Sequence, residues 1–84
     1  MALTKIELKL LGHLLEQASE EFARHGCNDL NLDELLTEAE RRAFIQAINR
    51  DPHVCDEPLD VNNKYAVPDW MALTFLSRRC KESV

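Results

Sequence analysis

The feature of this sequence that most constrains its fold is a glycine-containing turn, His25-Gly26-Cys27-Asn28-Asp29, directly behind a long amphipathic stretch. Glycine readily takes the left-handed conformation that closes a helix, and Asn and Asp favour turns. The amphipathic stretch begins with a hydroxyl at Thr4 and a carboxylate at Glu7, which is the spacing of a capping box. The sequence therefore predicts a first helix from Thr4 to about His25.

This first helix carries apolar residues on two sides. One stripe has the 3-4-3-4 spacing that is typical of a core-facing helix surface; it consists of Leu8, Leu11, Leu15, Ala18 and Phe22. A second group lies well to one side of that stripe at 100° per residue and consists of Ile6, Leu10 and Leu14. We assign the first stripe to the core and the second group to surplus apolar surface.

A second helix is predicted from a second capping box, formed by Thr37 and Glu40. Asp33 can cap a short turn just before it, through positions 35–36. The second helix is expected to end near residues 49–50, before Pro52. Its inward residues are expected to be Ala43, Phe44, Ala47 and Ile48, with Arg41 and Arg42 outward.

Residues 51–63 contain turn-forming Pro and Asn residues and are predicted to be non-helical. Four apolar residues then alternate with polar ones about a three-residue loop, 62–64, which pairs Leu59 with Val67 and Val61 with Tyr65. Asp69 is the expected N-cap of a third helix. The predicted fold class is mainly α: a small three-helix domain with a short β-hairpin or extended loop before the last helix.

The third helix is apolar over most of its circumference. One side carries Trp70, Leu73, Leu76 and Cys80, and another carries Met71, Ala72 and Phe75. The single Trp70 is expected in the core near the hairpin, with an interface position as the alternative. Met71 and Phe75 add to the surplus apolar surface.

Composition sets the class of protein. Eighty-four residues make one domain, 1–84, and the net charge of −5 disfavours nucleic acid as a partner. No apolar run reaches the roughly 18 residues of a membrane span, and the first residues lack the order of a secretory signal. Three cysteines cannot form a complete set of disulfides within one chain. We therefore expect a cytoplasmic protein that does not associate with membranes.

Two His-x-Cys steps raise the question of a metal. His25, Cys27, His53 and Cys55 form a Cys2His2 set, which is a donor set that zinc accepts. The one-residue gap is unlike the two to four residues that usually separate zinc ligands. The alternative is a Cys27 buried beneath the helix end, with no cofactor. A zinc-binding module is therefore the runner-up interpretation.

Cysteine catalysis is the third possibility, since Cys27 lies near His25. A nucleophilic cysteine needs a lowered pKa, whereas the C-terminal end of a helix disfavours the thiolate. The sequence has two glycines and no glycine-rich loop that could hold an oxyanion. We therefore predict that the protein is not an enzyme and has no catalytic residues.

The segment that ends in Glu21-Phe22-Ala23-Arg24-His25-Gly26-Cys27-Asn28-Asp29 resembles a group of small uncharacterised bacterial and phage-encoded proteins. Those proteins carry a Glu-Phe-x-x-His-Gly-Cys-Asn-Asp motif. They also have a Tyr-x-x-x-Asp-Trp segment before an aromatic-rich last helix, similar to positions 65–70 here. The resemblance implies no activity. It implies a viral or prophage origin.

The resulting functional hypothesis is a non-enzymatic protein-interaction module, a phage- or prophage-derived modulator of a host protein. Its partner is another protein or a second copy of itself in a homodimer. The predicted interface is the surplus apolar surface, which comprises Ile6, Leu10, Leu14, Met71 and Phe75. The turn at positions 25–29 is either structural or part of the recognition surface.

Overall fold

The computed structural model of the protein describes residues 3–22, 29–64 and 67–82. The described chain is mainly helical, as predicted. Its helices are α1 (Lys5–Gln17), α2 (Leu32–Leu35), α3 (Glu38–Asn49) and α4 (Asp69–Glu82). A π-helical segment, Ala18–Phe22, continues α1, and two short strands are β1 (Asp29–Leu30) and β2 (Val67–Pro68). The three long helices are the three that the sequence predicts, and the predicted end of the first helix at His25 lies outside the described residues.

Both predicted capping boxes are confirmed. At the start of α1 the Glu7 N–H donates to Thr4 Oγ1 at 3.2 Å, and the Thr4 N–H donates to Glu7 Oε1 at 3.1 Å. At the start of α3 the equivalent distances between Thr37 and Glu40 are 3.3 and 2.9 Å. Each box provides acceptors for two backbone N–H groups at a helix start that have no partner within the helix, so these starts are defined by local sequence.

The predicted two-stranded antiparallel sheet before the last helix is also present, but one of its strands comes from elsewhere. Val67 in β2 is paired with Leu30 in β1, and Pro68 is opposite Asp29. The predicted pairing of Val67 with Leu59 in a hairpin is therefore wrong. Tyr65 lies outside the described residues. The sheet joins two segments that are far apart in sequence, rather than forming a local hairpin.

The loop that was expected to supply the other strand is instead bonded to α3. The Asn49 side chain accepts from the Leu59 N–H at 2.8 Å and donates to the Leu59 carbonyl at 3.0 Å. The Arg41 guanidinium donates to the Val61 carbonyl. Arg41 is thus buried rather than outward as predicted. Because these backbone groups already have partners on α3, they are not available for a β-ladder.

The core lies between α1, α3, α4 and the short segments around β1. It includes an edge-to-face pair of Phe44 and Phe75, whose ring centroids are 5.7 Å apart at 88°. Leu32 of α2 is buried in this core. The N-cap of α2 is Asn31, whose side chain accepts a hydrogen bond from the Asp33 N–H at 3.2 Å. The prediction that Asp33 is the cap is therefore wrong. Among the residues whose burial is described, the buried apolar ones are Leu10, Leu14, Leu30, Leu32, Leu36, Phe44, Ile45, Ile48, Val54, Cys55, Val67, Ala72, Phe75 and Leu76.

Candidate interaction surfaces

Most of the residues that were predicted to form an interface are buried in the core. Leu10, Leu14 and Phe75 are at most 5% exposed, and Ile6 and Met71 are half-buried against the core. This is a correction to the predicted surplus surface. The reason is the rotation of α1 about its axis: the side that carries Leu10 and Leu14 faces α3 and α4.

The surplus apolar surface lies instead on the other side of α1. Leu8 is 54% exposed and Leu15 is 58% exposed, and they are seven residues apart on one face. Leu11 is half-buried between them. Gly12 is exposed, and a Cβ placed on it would meet no atom within 4 Å. We call Leu8, Leu11, Gly12 and Leu15 the helix-1 ridge.

A row of charges follows one flank of the helix-1 ridge. At 100° per residue, Lys5, Lys9 and Glu16 of α1 fall about 60–100° from Leu8 in the same rotational direction. Glu20 continues the row about one turn after Glu16, in the π-helical segment. All four are exposed. The first two are cations and the last two are anions, so the row changes sign halfway along the helix. Lys9 Nζ lies 3.9 Å from Glu40 Oε1, a long contact between two solvent-accessible groups that contributes little.

An open groove of about 520 Å³ lies on a different part of the surface. It runs between the start of α1, the second half of α3 and the end of α4, and its apolar lining includes Ile6, Phe44 and Phe75. Two ion pairs border it. Arg78 Nη1 lies 2.6 Å from Asp51 Oδ1, and Arg79 binds Glu7. Four of the charged side chains that line the groove are thus already paired within the chain.

The pair of Glu7 and Arg79 is the most buried ion pair among the described residues. Arg79 Nε lies 2.9 Å from Glu7 Oε2, and Arg79 Nη2 lies 3.1 Å from Glu7 Oε1. Burial raises the pKa of the Glu7 carboxyl, but the hydrogen bonds from Arg79 and Thr4 outweigh it, and the pKa lies below its ordinary value. The hydrogen bond to Glu7 raises the pKa of Arg79. This pair joins the start of α1 to the end of α4.

The predicted turn motif and metal set fall mostly outside the described residues. Asp29 is exposed in β1, and His25, Gly26, Cys27 and Asn28 are not described. His53 is exposed, whereas the Cys55 thiol is buried and donates to the Glu57 carbonyl. Within residues 3–22, 29–64 and 67–82, no group of three or more His, Cys, Asp or Glu side chains could hold a metal ion. The four-residue zinc set therefore stays a prediction.

Trp70 is 47% exposed, although the sequence places it in the core. The helix α4 instead buries Ala72, Phe75 and Leu76. Among the described residues, no helix is long and apolar enough to cross a membrane.

No protein-family model matches the chain, and neither a curated protein nor a solved structure matches it. The spacing of the stripe that contains Leu8 predicted a core position, and this prediction is wrong for Leu8 and Leu15. One sequence feature indicated exposure instead: the charged residues Lys5, Lys9, Glu16 and Glu20 lie beside this stripe on the helix. Charges flank a stripe that faces solvent, and an unpaired charge is rarely buried.

Proposed function

We propose that the protein is a non-enzymatic protein-interaction module that buries the helix-1 ridge against a helix of its partner. The observation that carries the proposal is the exposure of Leu8 and Leu15, each more than half accessible on one face of a long helix. Leucines at this spacing on an amphipathic helix are the anchors by which one helix binds another.

The geometry supports a helix as the binding element. Removing the exposed parts of Leu8 and Leu15 from water provides roughly 1 kcal/mol for each side chain. Gly12 lies between them in sequence and has open space above it, so a partner backbone can approach α1 closely. Because Leu10 and Leu14 are buried in the core and Arg79 binds Glu7, α1 is fixed against the rest of the domain and presents the ridge on an ordered helix. A surface that is ordered before binding loses less conformational entropy on binding.

The sequence resemblance supplies the biological context of this proposal. Small bacterial and phage-encoded proteins that share the Glu-Phe-x-x-His-Gly-Cys-Asn-Asp motif suggest that the module modulates a host protein in the cytoplasm. The acidic net charge of −5 suits a protein partner rather than a nucleic acid. The exposed leucines, rather than the buried set Leu10, Leu14 and Phe75, are then the contact residues.

Site-specific photo-crosslinking tests the proposal. A photoreactive side chain at Leu15 should form discrete protein adducts in bacterial lysate, and one at the exposed α3 residue Gln46 should not. Excess unlabelled protein should compete the adduct away, whereas the Leu8→Asp, Leu15→Asp double variant should not compete. Equal adducts at both positions, or competition by the double variant, would show that the ridge is not a specific binding surface.

A further inference from the structure

We infer that the helix-1 ridge binds a second copy of this chain, with the two α1 helices antiparallel. This inference rests on the proposed interaction function and names its partner. It is carried by the charge row beside the ridge together with the exposed leucines. A surface that binds its own copy about a two-fold axis must be complementary to itself, so that residue i contacts j and j contacts i.

The charge row has that property. Lys9 and Glu16 are placed symmetrically about a point between residues 12 and 13, and Lys5 and Glu20 are symmetric about the same point. When a second α1 runs in the opposite direction, Lys9 of one copy lies opposite Glu16 of the other, and Lys5 lies opposite Glu20. Each contact occurs twice because of the two-fold symmetry. Four pairs of opposite charge therefore border one short interface.

The two-fold axis also distinguishes the antiparallel arrangement from the parallel one. In an antiparallel pair the axis is perpendicular to both helices, and it keeps the two charge rows on the same side of the interface with their directions reversed. In a parallel pair the axis runs along the helices and places the rows on opposite sides, where they do not meet. Charge complementarity thus selects the antiparallel dimer.

The apolar residues fit nearly the same axis: the midpoint of Leu8 and Leu15 lies one residue from the midpoint of the charge row, so Leu15 of one copy lies two residues from the position directly opposite Leu8 of the other. Leu8 of one copy packs beside Leu15 of the other, and Gly12 lies close to the axis, where the two helices approach most closely. Open space above Gly12 allows this approach without a rearrangement. Because the contact is a single helix pair, we expect a small interface and a concentration-dependent, micromolar dimer rather than an obligate one.

Charge-swap variants studied by sedimentation equilibrium test the inference. The variant Lys5→Glu, Lys9→Glu places acids opposite acids, and the variant Glu16→Lys, Glu20→Lys places bases opposite bases. Each alone should weaken self-association about tenfold, because four attractive exposed pairs become repulsive. An equimolar mixture of the two should form heterodimers as tightly as the wild type, since every contact is again between opposite charges.

Three controls accompany the swaps. The Leu8→Asp, Leu15→Asp variant should stay monomeric and keep the wild-type circular dichroism, because both side chains are more than half exposed. At low protein concentration its urea unfolding midpoint should be only slightly below that of the wild type, since Asp has a lower helix propensity than Leu. Lys81→Glu, a charge reversal at an exposed position of α4, should self-associate as the wild type does. Urea unfolding of each swap variant identifies any loss of folding.

A wild type that is monomeric up to about 0.5 mM, or a mixture that associates no more tightly than its components, would overturn the inference. If the isolated protein is monomeric but Leu15 still crosslinks to a foreign protein in lysate, self-pairing is wrong and the proposed interaction function stands. If Leu15 forms no adduct with either its own copy or another protein, both are wrong.

Discussion

One apolar side of α1 is buried and the other is exposed, although the two sides have nearly the same composition. Leu10 and Leu14 are at most 4% exposed, whereas Leu8 and Leu15 are more than half exposed. The buried side also contains a carboxylate, Glu7, which is 5% exposed, and the exposed side contains a glycine. Residue polarity alone would therefore assign these two sides the wrong way round.

The difference shows what decides which side of a doubly apolar helix faces inward. Glu7 can be buried because Arg79, 72 positions away in sequence, binds both of its carboxylate oxygens. Once that pair forms at the start of α1, Leu10 and Leu14 follow on the inward side, since they lie one and two turns further along. The exposed leucines are then free for a partner.

The largest expected effect separates the two sides directly. Leu10→Ala should lower the free energy of unfolding by about 3 kcal/mol, because it removes a fully buried side chain and leaves a cavity. The matched change Leu8→Ala should alter it by no more than about 0.5 kcal/mol. Urea unfolding at low protein concentration, where monomers predominate, measures both. Equal losses would mean that both sides of α1 are packed.

A somewhat smaller effect is expected when the polar contact on the buried side is broken. Arg79→Ala leaves the Glu7 carboxylate buried without its charged partner and should lower stability by roughly 2 kcal/mol. Lys81→Ala, on the exposed side of the same helix, is the control and should change stability little. If Glu7→Gln in the Arg79→Ala background restores no stability, the cause is lost packing rather than an unpaired charge.

The same pair predicts a pH dependence. Because the pKa of Glu7 is lower in the folded protein than its ordinary value, the folded chain binds fewer protons here than the unfolded chain. The contribution is complete above the ordinary pKa of about 4.5 and is lost as the pH falls through the lower, folded-state value. Thermal melts of wild type and Glu7→Gln should therefore differ most near neutral pH and converge in acid. The pKa of Glu40 is lowered as well, so the variant Glu40→Gln is needed to measure how much Glu40 contributes to the pH dependence of stability. Parallel curves for wild type and Glu7→Gln would contradict the assignment.

The smallest effect is a stabilisation on the exposed side. Gly12→Ala should raise monomer stability by roughly 0.7 kcal/mol, because alanine loses less backbone freedom in a helix and its Cβ meets open space. The same methyl group lies close to the proposed dimer axis, so self-association should weaken. Urea unfolding at low concentration and sedimentation at high concentration should thus change in opposite directions. Weaker self-association without the gain in monomer stability would place Gly12 in a strained or packed position.

Local sequence predicted the features whose contacts are local. Both capping boxes use bonds between residues three apart, and the start and end of α3 were predicted correctly from Thr37 and Pro52. The strand at Val67 was predicted, but its partner was not. A local hairpin and a pairing with Leu30 satisfy the same alternation, and only the bonds from Asn49 and Arg41 to the intervening loop decide between them.

The sequence by itself determined the helical class, the starts of α1 and α3 and the presence of more apolar residues on α1 than one side can hold, because these depend on spacing within a few turns. The tertiary structure alone decided which apolar side is buried, where Trp70 lies and which strands pair. Those choices depend on contacts between residues far apart in sequence, such as Glu7 with Arg79 and Leu30 with Val67, and spacing within a helix or strand carries no information about them.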